Sequence, residues 1–168
     1  MNMKTGLAAL VTALLLLPGI AQADELPMKA EAPITLTSPS AILCEASTGQ
    51  VIFEKNADER RPVASVNKVM TILLTLEAVD EGRVSLEDQV TVSPRAASMG
   101  GSQAFLDAGE RYKLSELLKT VIVASANDSA VALAEHLAGT EESFVQLMNT
   151  RAEELGLTNT HYANCTGL

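Results

Sequence analysis

Histidine and cysteine are scarce in this 168-residue chain, and each shortage argues against a class of function. The two histidines, His136 and His161, do not have the spacing of metal ligands, which disfavours a zinc peptidase. The two cysteines, Cys44 and Cys165, are far apart and do not make a disulfide framework. A bridge between them stays open, but buried small hydrophobic residues are the favoured interpretation of both.

Basic residues are also few. The chain has 12 Lys and Arg against 21 Asp and Glu, a net charge of -9, and its only basic cluster is the pair Arg60 and Arg61. Binding of nucleic acid through phosphates is therefore disfavoured. An apolar content of 47% is enough for the core of one domain, so the chain is not of the disordered class.

No apolar run is long enough to cross a bilayer, for which about 20 residues are needed. The longest run, residues 7–17, follows Lys4 and precedes an Ala-x-Ala cleavage site at Ala21 and Ala23. This pattern predicts a signal peptide over residues 1–23, followed by a proline-containing linker over residues 24–39. We expect an exported protein, periplasmic or on the extracellular face of the membrane; a retained N-terminal anchor is the alternative.

From residue 40 the pattern predicts a β-hairpin and then a mainly helical segment. Two β-prone runs flank Ser47-Thr48-Gly49. Four helices are predicted: one after Ser65 that ends at Gly82, one over residues 113–123, one capped by Asn127 or Asp128 that ends at Gly139, and one between a Thr140 cap and Gly156. Residues 84–93 carry a strand signal, residues 98–112 are rich in turn formers, and residues 157–168 are loop or strand. Because a hairpin alone is not a stable sheet, either it packs on the Ser65 helix or more chain belongs to the fold.

The segment PVASVNKVMT places Ser65 and Lys68 three residues apart at the start of an apolar helix. A capping serine favours Glu or Gln at its third following position, where lysine has the wrong charge. Residues at this spacing share a helix face, so the Lys68 amine can reach the Ser65 hydroxyl, and apolar neighbours would lower its pKa. Composition alone gives about 0.4 chance occurrences of Ser-x-x-Lys, so the motif does not by itself separate a poor cap from a nucleophile with its base.

A second motif, Ser125-Ala126-Asn127, lies between two apolar helices and predicts a tight loop. A hydroxyl and a carboxamide on such a loop can pass a proton to a leaving amine and hold a substrate amide. The alternative is that Asn127 or Asp128 is only a helix cap.

Over residues 38–168 the chain resembles the D-alanyl-D-alanine carboxypeptidases of the low-molecular-weight penicillin-binding protein group. The segments that carry the resemblance are PVASVNKVMT, SANDSAVALAEHLAG and AILCEASTGQVIFEKNADERRPVAS. It implies an α/β fold of the β-lactamase/transpeptidase type, no cofactor and no metal, and removal of the terminal D-alanine from peptidoglycan pentapeptides, with β-lactams as inhibitors. By this resemblance Ser65 forms the acyl-enzyme, Lys68 is its base, Ser125 relays a proton and Asn127 positions the peptide.

The family's third motif, a Lys-Thr-Gly strand that binds the substrate's terminal carboxylate, does not follow Asn127. The string Lys4-Thr5-Gly6 falls in the predicted signal peptide and is interpreted as coincidence. We therefore expect residues 40–168 to be part of a D,D-carboxypeptidase domain, with most of its sheet after residue 168. Such a fragment would be inactive by itself, and membrane association through a missing C-terminal segment stays open.

Two other functions remain. A serine β-lactamase shares both motifs, but it needs a carboxylate to activate water, and the acids after Asn127 all lie on or cap predicted helices. A catalytically inactive peptidoglycan-binding module is favoured if the 168 residues are the entire protein.

Overall fold

The computed structural model describes residues 35–168, which fall into two compact units divided between Lys55 and Asn56. The predicted signal peptide and the linker up to residue 34 lie outside the described residues. Residues 35–39 form neither helix nor strand. Within residues 35–168, no helix combines the length and the hydropathy that a membrane crossing requires.

The first unit contains the predicted hairpin. Strand β1 (Ala41–Cys44) pairs antiparallel with β2 (Val51–Lys55), and the register shifts between Leu43 and Cys44. Both strands are largely exposed. Cys44 is a free and exposed thiol, so the expectation that it is buried is wrong. The β-prone run around Cys44 suggested a buried strand, but three of the four residues of β1 are exposed to solvent, Cys44 among them.

The hairpin turn is organised by one carboxylate. Glu45 accepts the backbone N–H and hydroxyl groups of Ser47 and Thr48 at 2.7–3.0 Å. These bonds, those of Thr48 first, lower the pKa of Glu45 to about 2. Gly49 then turns the chain with φ +71°, a left-handed conformation that glycine adopts without strain. The predicted turn at Ser47-Thr48-Gly49 is confirmed.

The second unit is mainly helical, as predicted. In chain order its elements are a 3-10 turn (Ala64–Asn67), α1 (Lys68–Asp80), β3 (Gln89–Thr91), α2 (Pro94–Ala97), β4 (Arg111–Lys113), α3 (Leu114–Ala124), α4 (Asn127–Ala138) and α5 (Glu141–Glu154). The four predicted helices correspond to α1, α3, α4 and α5, and the strand predicted within residues 84–93 is β3. Thr140 caps α5 as expected, since its hydroxyl accepts the Ser143 N–H.

Two short elements were not predicted. Helix α2 begins after Ser93, whose hydroxyl accepts the Ala96 N–H at 3.0 Å, with Pro94 in the first turn. This start signal is present in the sequence, but four residues are too few to show a helical period. Strand β4 lies at the end of the turn-rich segment and pairs antiparallel with β3.

The predicted cap of α4 is wrong in position. Ala126 occupies the N-cap, its side chain makes no capping bond, and Asn127 is already the first helical residue. The reason is tertiary: the Asp128 carboxylate accepts the backbone N–H groups of Ala104 and Leu106 at 3.0–3.1 Å, across the turn-rich loop. Asp128 therefore fixes that loop to α4 from inside the first turn, where its Oδ1 also accepts the backbone N–H of Ser129 at 2.8 Å.

Helix α4 is the centre of the second unit. It contacts α1, α2, α3 and α5, and every residue from Asn127 to Ala134 is buried. Its small side chains allow four helices to approach closely. The largest fully buried residues of the unit are Leu133 on α4 itself and, on the elements around it, Phe144, Leu114, Leu117 and Met148. The loop that enters α4 is thus held on a rigid base.

Phe144 tests this core. The Phe144→Ala variant removes a fully buried ring and should lower the free energy of unfolding by about 3–5 kcal/mol. The matched control is Leu147→Ala on the same helix, where the side chain is 44% exposed and the loss should stay below about 1 kcal/mol. Urea unfolding of the protein from its complete gene measures both; equal losses would contradict this description of the core.

Candidate active site

Ser65 lies in the 3-10 turn that precedes α1 and does not cap the helix. No side chain makes a capping hydrogen bond at the start of this turn or of α1. The residue before Ser65, Ala64, has φ +48°, which is uncommon for a residue with a side chain and marks a constrained backbone. Ser65 is exposed, whereas Lys68, the first residue of α1, is buried. The interpretation of this pair as a poorly made cap is therefore not supported.

Lys68 is surrounded by oxygen atoms. Its Nζ atom lies 3.1 Å from Ser65 Oγ, 3.2 Å from Ser125 Oγ and 3.0 Å from the carbonyl oxygen of Thr166. The side chain is 2% exposed, and no carboxylate within residues 35–168 forms a salt bridge with it. The structure thus brings together three of the four predicted site residues around one buried amine.

The direction of two of these bonds depends on the proton of Lys68. A carbonyl oxygen can only accept, so an N–H of Lys68 must be donated to Thr166. The two serine contacts run either way: an ammonium donates to both, whereas a neutral amine can accept the Ser65 O–H. Burial lowers the pKa of Lys68 because it disfavours the charged form, and this favours the neutral amine. The geometry therefore suits proton transfer from Ser65 to Lys68.

Ser125 reaches Lys68 because of its backbone conformation. It directly follows the last residue of α3 and has φ +56° and ψ +34°, in the left-handed region. The next residue, Ala126, is fully buried and precedes α4, so only two residues connect the two helices. A left-handed backbone is uncommon for a residue with a side chain, and such strain is a feature of functional sites.

Asn127 is placed beside this cluster but is bound elsewhere. Its backbone N–H donates to the Ser102 carbonyl at 2.8 Å and its Nδ2 to the Gly100 carbonyl at 2.7 Å. Its Oδ1 atom is buried and has no hydrogen-bond partner among the described residues. A buried carbonyl oxygen without a donor costs free energy, about 1–3 kcal/mol, which a ligand N–H would recover. No hydrogen bond joins Asn127 to the three clustered residues in the part of the chain that the structure describes.

The loop over residues 157–168, called the final loop below, supplies contacts that the sequence did not predict. Its backbone lies against the start of α1, where three consecutive carbonyl oxygens accept side-chain hydrogen bonds. The donors and acceptors are Asn67 Nδ2 to Asn164 O at 2.8 Å, Thr71 Oγ1 to Cys165 O at 2.8 Å, and Lys68 Nζ to Thr166 O at 3.0 Å. The loop is therefore part of the site.

The loop holds its shape through Asn164. Its Oδ1 accepts the N–H groups of Thr166 at 3.0 Å and of Gly167 at 2.6 Å, a turn that asparagine favours. A turn could be predicted from the Asn-x-Thr-Gly sequence of residues 164–167. The contact of this turn with α1 could not be predicted, because no sequence pattern links the two segments. Cys165 is fully buried, as the sequence predicted, and remains a free thiol.

Neither histidine lies in this cluster. His136 is on α4, 4.0 Å from Asp88, and His161 is in the final loop. Among residues 35–168, no three His, Cys, Asp or Glu side chains are grouped in a way that would hold a metal ion.

Gly167 allows the final loop to approach the backbone of Ala64, the residue before Ser65. It has φ +84°, and a Cβ atom there would lie 1.9 Å from the Ala64 carbonyl oxygen. Gly167→Ala should therefore destabilise the fold by more than the backbone strain alone. Gly156→Ala is the control, since Gly156 has φ +73° with open space around its Cβ position and should cost about 1 kcal/mol. Urea unfolding compares them; an equal cost would show that the loop does not contact Ala64 this closely.

The chain is similar to known proteins. The family model described as D-alanyl-D-alanine carboxypeptidase matches residues 27–168. D-alanyl-D-alanine carboxypeptidase DacF of Bacillus subtilis is 51% identical over 129 residues, which are 77% of this chain and 33% of that protein. DacC of Escherichia coli is 39% identical over 145 residues, 80% of this chain and 36% of that protein. The chain thus spans about a third of the length of these curated relatives.

Solved structures show the same fold. The crystal structure of D-alanyl-D-alanine carboxypeptidase DacD from Francisella tularensis superposes with a TM-score of 0.80 at 36% identity, over 87% of this chain and 35% of that one. Penicillin binding protein 5 from Haemophilus influenzae gives a TM-score of 0.78 at 33% identity, over 82% of this chain and 41% of that one. The predicted α/β fold class of penicillin-binding type is confirmed. The chain belongs to the D-alanyl-D-alanine carboxypeptidase family.

Proposed function

We propose that this protein is an exported serine carboxypeptidase that removes the terminal D-alanine from peptidoglycan pentapeptides ending in D-Ala-D-Ala. The observation that carries the proposal is the buried Lys68 amine within hydrogen-bond distance of both Ser65 and Ser125. Family membership supports the reaction class, and the predicted signal peptide over residues 1–23 supports export to the periplasmic or extracellular side.

In the first step Ser65 attacks the carbonyl carbon of the penultimate D-alanine. Its hydroxyl proton passes to the neutral Lys68 amine over the 3.1 Å contact, while the new C–O bond forms a tetrahedral intermediate. Because one N–H of Lys68 is donated to the Thr166 carbonyl, the lone pair and the other N–H of the neutral amine are available to the two serines. A low pKa suits this role, since the amine must be free of its proton before the attack.

In the second step the intermediate expels the terminal D-alanine. The C–N bond breaks, and a proton from the Lys68 ammonium reaches the leaving amine through the Ser125 hydroxyl, which lies 3.2 Å from Nζ. The Ser65 ester that remains is then hydrolysed by water. The unpartnered Oδ1 of Asn127 is the acceptor we assign to an N–H of the peptide, which would position the substrate.

A β-lactamase is less well supported. That activity needs a carboxylate that activates water beside the ester. Of the acids that follow Asn127, the two buried ones are already engaged: Asp128 accepts backbone N–H groups of the loop over residues 104–106, and Glu141 forms a salt bridge with Arg95. Neither makes a hydrogen bond with Ser65 or Lys68.

Fluorescent penicillin tests the nucleophile. In the protein from its complete gene, Ser65→Ala should abolish covalent labelling, because it removes the only oxygen that we assign to the attack. Ser115→Ala, on the first turn of α3, is the control and should label as the unaltered protein does. Equal labelling of the Ser65→Ala variant would refute the assignment.

Lys68 is tested by pH and by charge. The acylation rate should rise with pH as Lys68 loses its proton, with a midpoint below the ordinary lysine value of 10.5, because burial lowers its pKa.

Lys68→Arg keeps a cation that cannot be deprotonated and should reduce acylation by about 10²–10⁴-fold. Lys119→Arg, at an exposed position on α3, should have no effect. A normal rate in Lys68→Arg, or a midpoint at or above 10.5, would rule out the base assignment.

A further inference from the structure

We infer that Glu141 is a positioning residue for Lys68, and that it acts through the backbone of Cys165 and Thr166. The inference rests on the proposed function, because it concerns the group assigned as the base. Glu141 is 4% exposed and lies on the first turn of α5, and it makes no contact with Ser65, Lys68 or Ser125 among the described residues.

The carboxylate of Glu141 divides its two oxygens between two partners. Oε1 accepts the backbone N–H of Cys165 at 3.2 Å and lies 3.4 Å from the Cys165 Sγ atom. Oε2 accepts from the Arg95 guanidinium on α2, through Nε at 3.1 Å and through a second, shorter bond. One side chain on α5 thus joins α2 to the final loop.

The next links lead to the amine. Cys165 is fully buried, its N–H is held by Glu141, and its carbonyl accepts the hydroxyl of Thr71, which is also fully buried. The next carbonyl along the chain is that of Thr166, which accepts an N–H of Lys68 Nζ at 3.0 Å. Cys165 is thus fixed at both its N–H and its carbonyl, one residue before the Thr166 oxygen, and the Gly167 N–H of the same peptide group as that oxygen is held by Asn164.

Helix capping does not explain why the Glu141 carboxylate is buried at the start of α5. The N-cap of α5 is Thr140, whose hydroxyl already accepts the Ser143 N–H. An acid in the first turn is favourable by the helix dipole, but a solvent-exposed side chain such as that of Glu142 provides the same effect without the cost of burial. Burial works to raise the pKa of Glu141, and the bonds from Arg95 and Cys165 outweigh it, so the net pKa is lowered and the buried group stays ionised.

Two conservative substitutions separate the hydrogen bond from the ion pair. Glu141→Gln keeps the length and one acceptor oxygen for Cys165 but loses the charge that pairs with Arg95. Glu141→Asp keeps the charge but is one methylene shorter, so it cannot reach both Arg95 and the Cys165 N–H without a shift. If Glu141 positions Lys68 through Cys165, the Gln variant should be nearly normal and the Asp variant impaired.

The measurement is the rate constant of acylation by fluorescent penicillin in quenched flow, on the protein from its complete gene, with the constant for noncovalent binding obtained from the same data. Glu141→Asp should acylate on the order of 10- to 100-fold more slowly, because a small displacement of a catalytic group has this effect, and the binding constant should be unchanged. Glu77→Asp is the matched control: Glu77 on α1 forms a comparable partly buried pair with Arg151 on α5, away from the final loop.

The outcomes are distinct. Normal acylation by Glu141→Asp, or loss in Glu141→Gln with activity kept in Glu141→Asp, overturns the inference in favour of a purely structural ion pair. An equal loss in Glu77→Asp also overturns it, because the effect would then be general stability. Failure of the unaltered protein to label, or labelling of Ser65→Ala, refutes the proposed function instead. A thermal melt of each variant, expected to stay near that of the unaltered protein, shows that folding is intact.

Discussion

The site depends on one constraint: the amine of Lys68 is buried, and its hydrogen-bond partners among residues 35–168 are three oxygen atoms. Burial without a carboxylate disfavours the ammonium, and the three oxygens leave the amine enough hydrogen bonds to stay in place. The remaining architecture serves this arrangement: α1 supplies the lysine, the junction of α3 and α4 supplies Ser125, and the final loop covers the amine from the third side.

Local residues could be predicted from the sequence because the chemistry that links them is local. Ser65 and Lys68 are three positions apart, and the helical period alone brings them onto one face. The loop that carries Ser125 could be placed between two apolar helices, but the role of Ser125 came from the resemblance to the family, and its left-handed backbone was not visible in the sequence. Thr166 could not be found, since it is 98 residues from Lys68 and contributes a main-chain oxygen, which has no side-chain signature.

The cap of α4 shows the complementary limit. Asn127 and Asp128 are both good capping residues, and a local rule has no means to choose against them. In the fold both residues lie inside the first turn. Asp128 binds the loop that contains Ala104 and Leu106 as well as the Ser129 N–H, and the Asn127 side chain donates to Gly100, so tertiary partners decide where these side chains lie. Ala126 is left at the N-cap without a capping side chain, and the first-turn N–H groups of Asn127 and Ser129 are accepted by the Ser102 carbonyl and by Asp128.

The use of the Thr166 carbonyl also affects how the site tolerates genetic change. Every amino acid carries the same backbone oxygen, so a codon change at position 166 does not by itself delete the group that holds Lys68. At Ser65, Lys68 or Ser125, by contrast, nearly every codon change removes the functional atom. The amine is therefore supported on one side by a contact that missense mutation cannot remove directly, and the vulnerability moves to the residues that fix the loop's backbone, Asn164, Gly167 and Thr71.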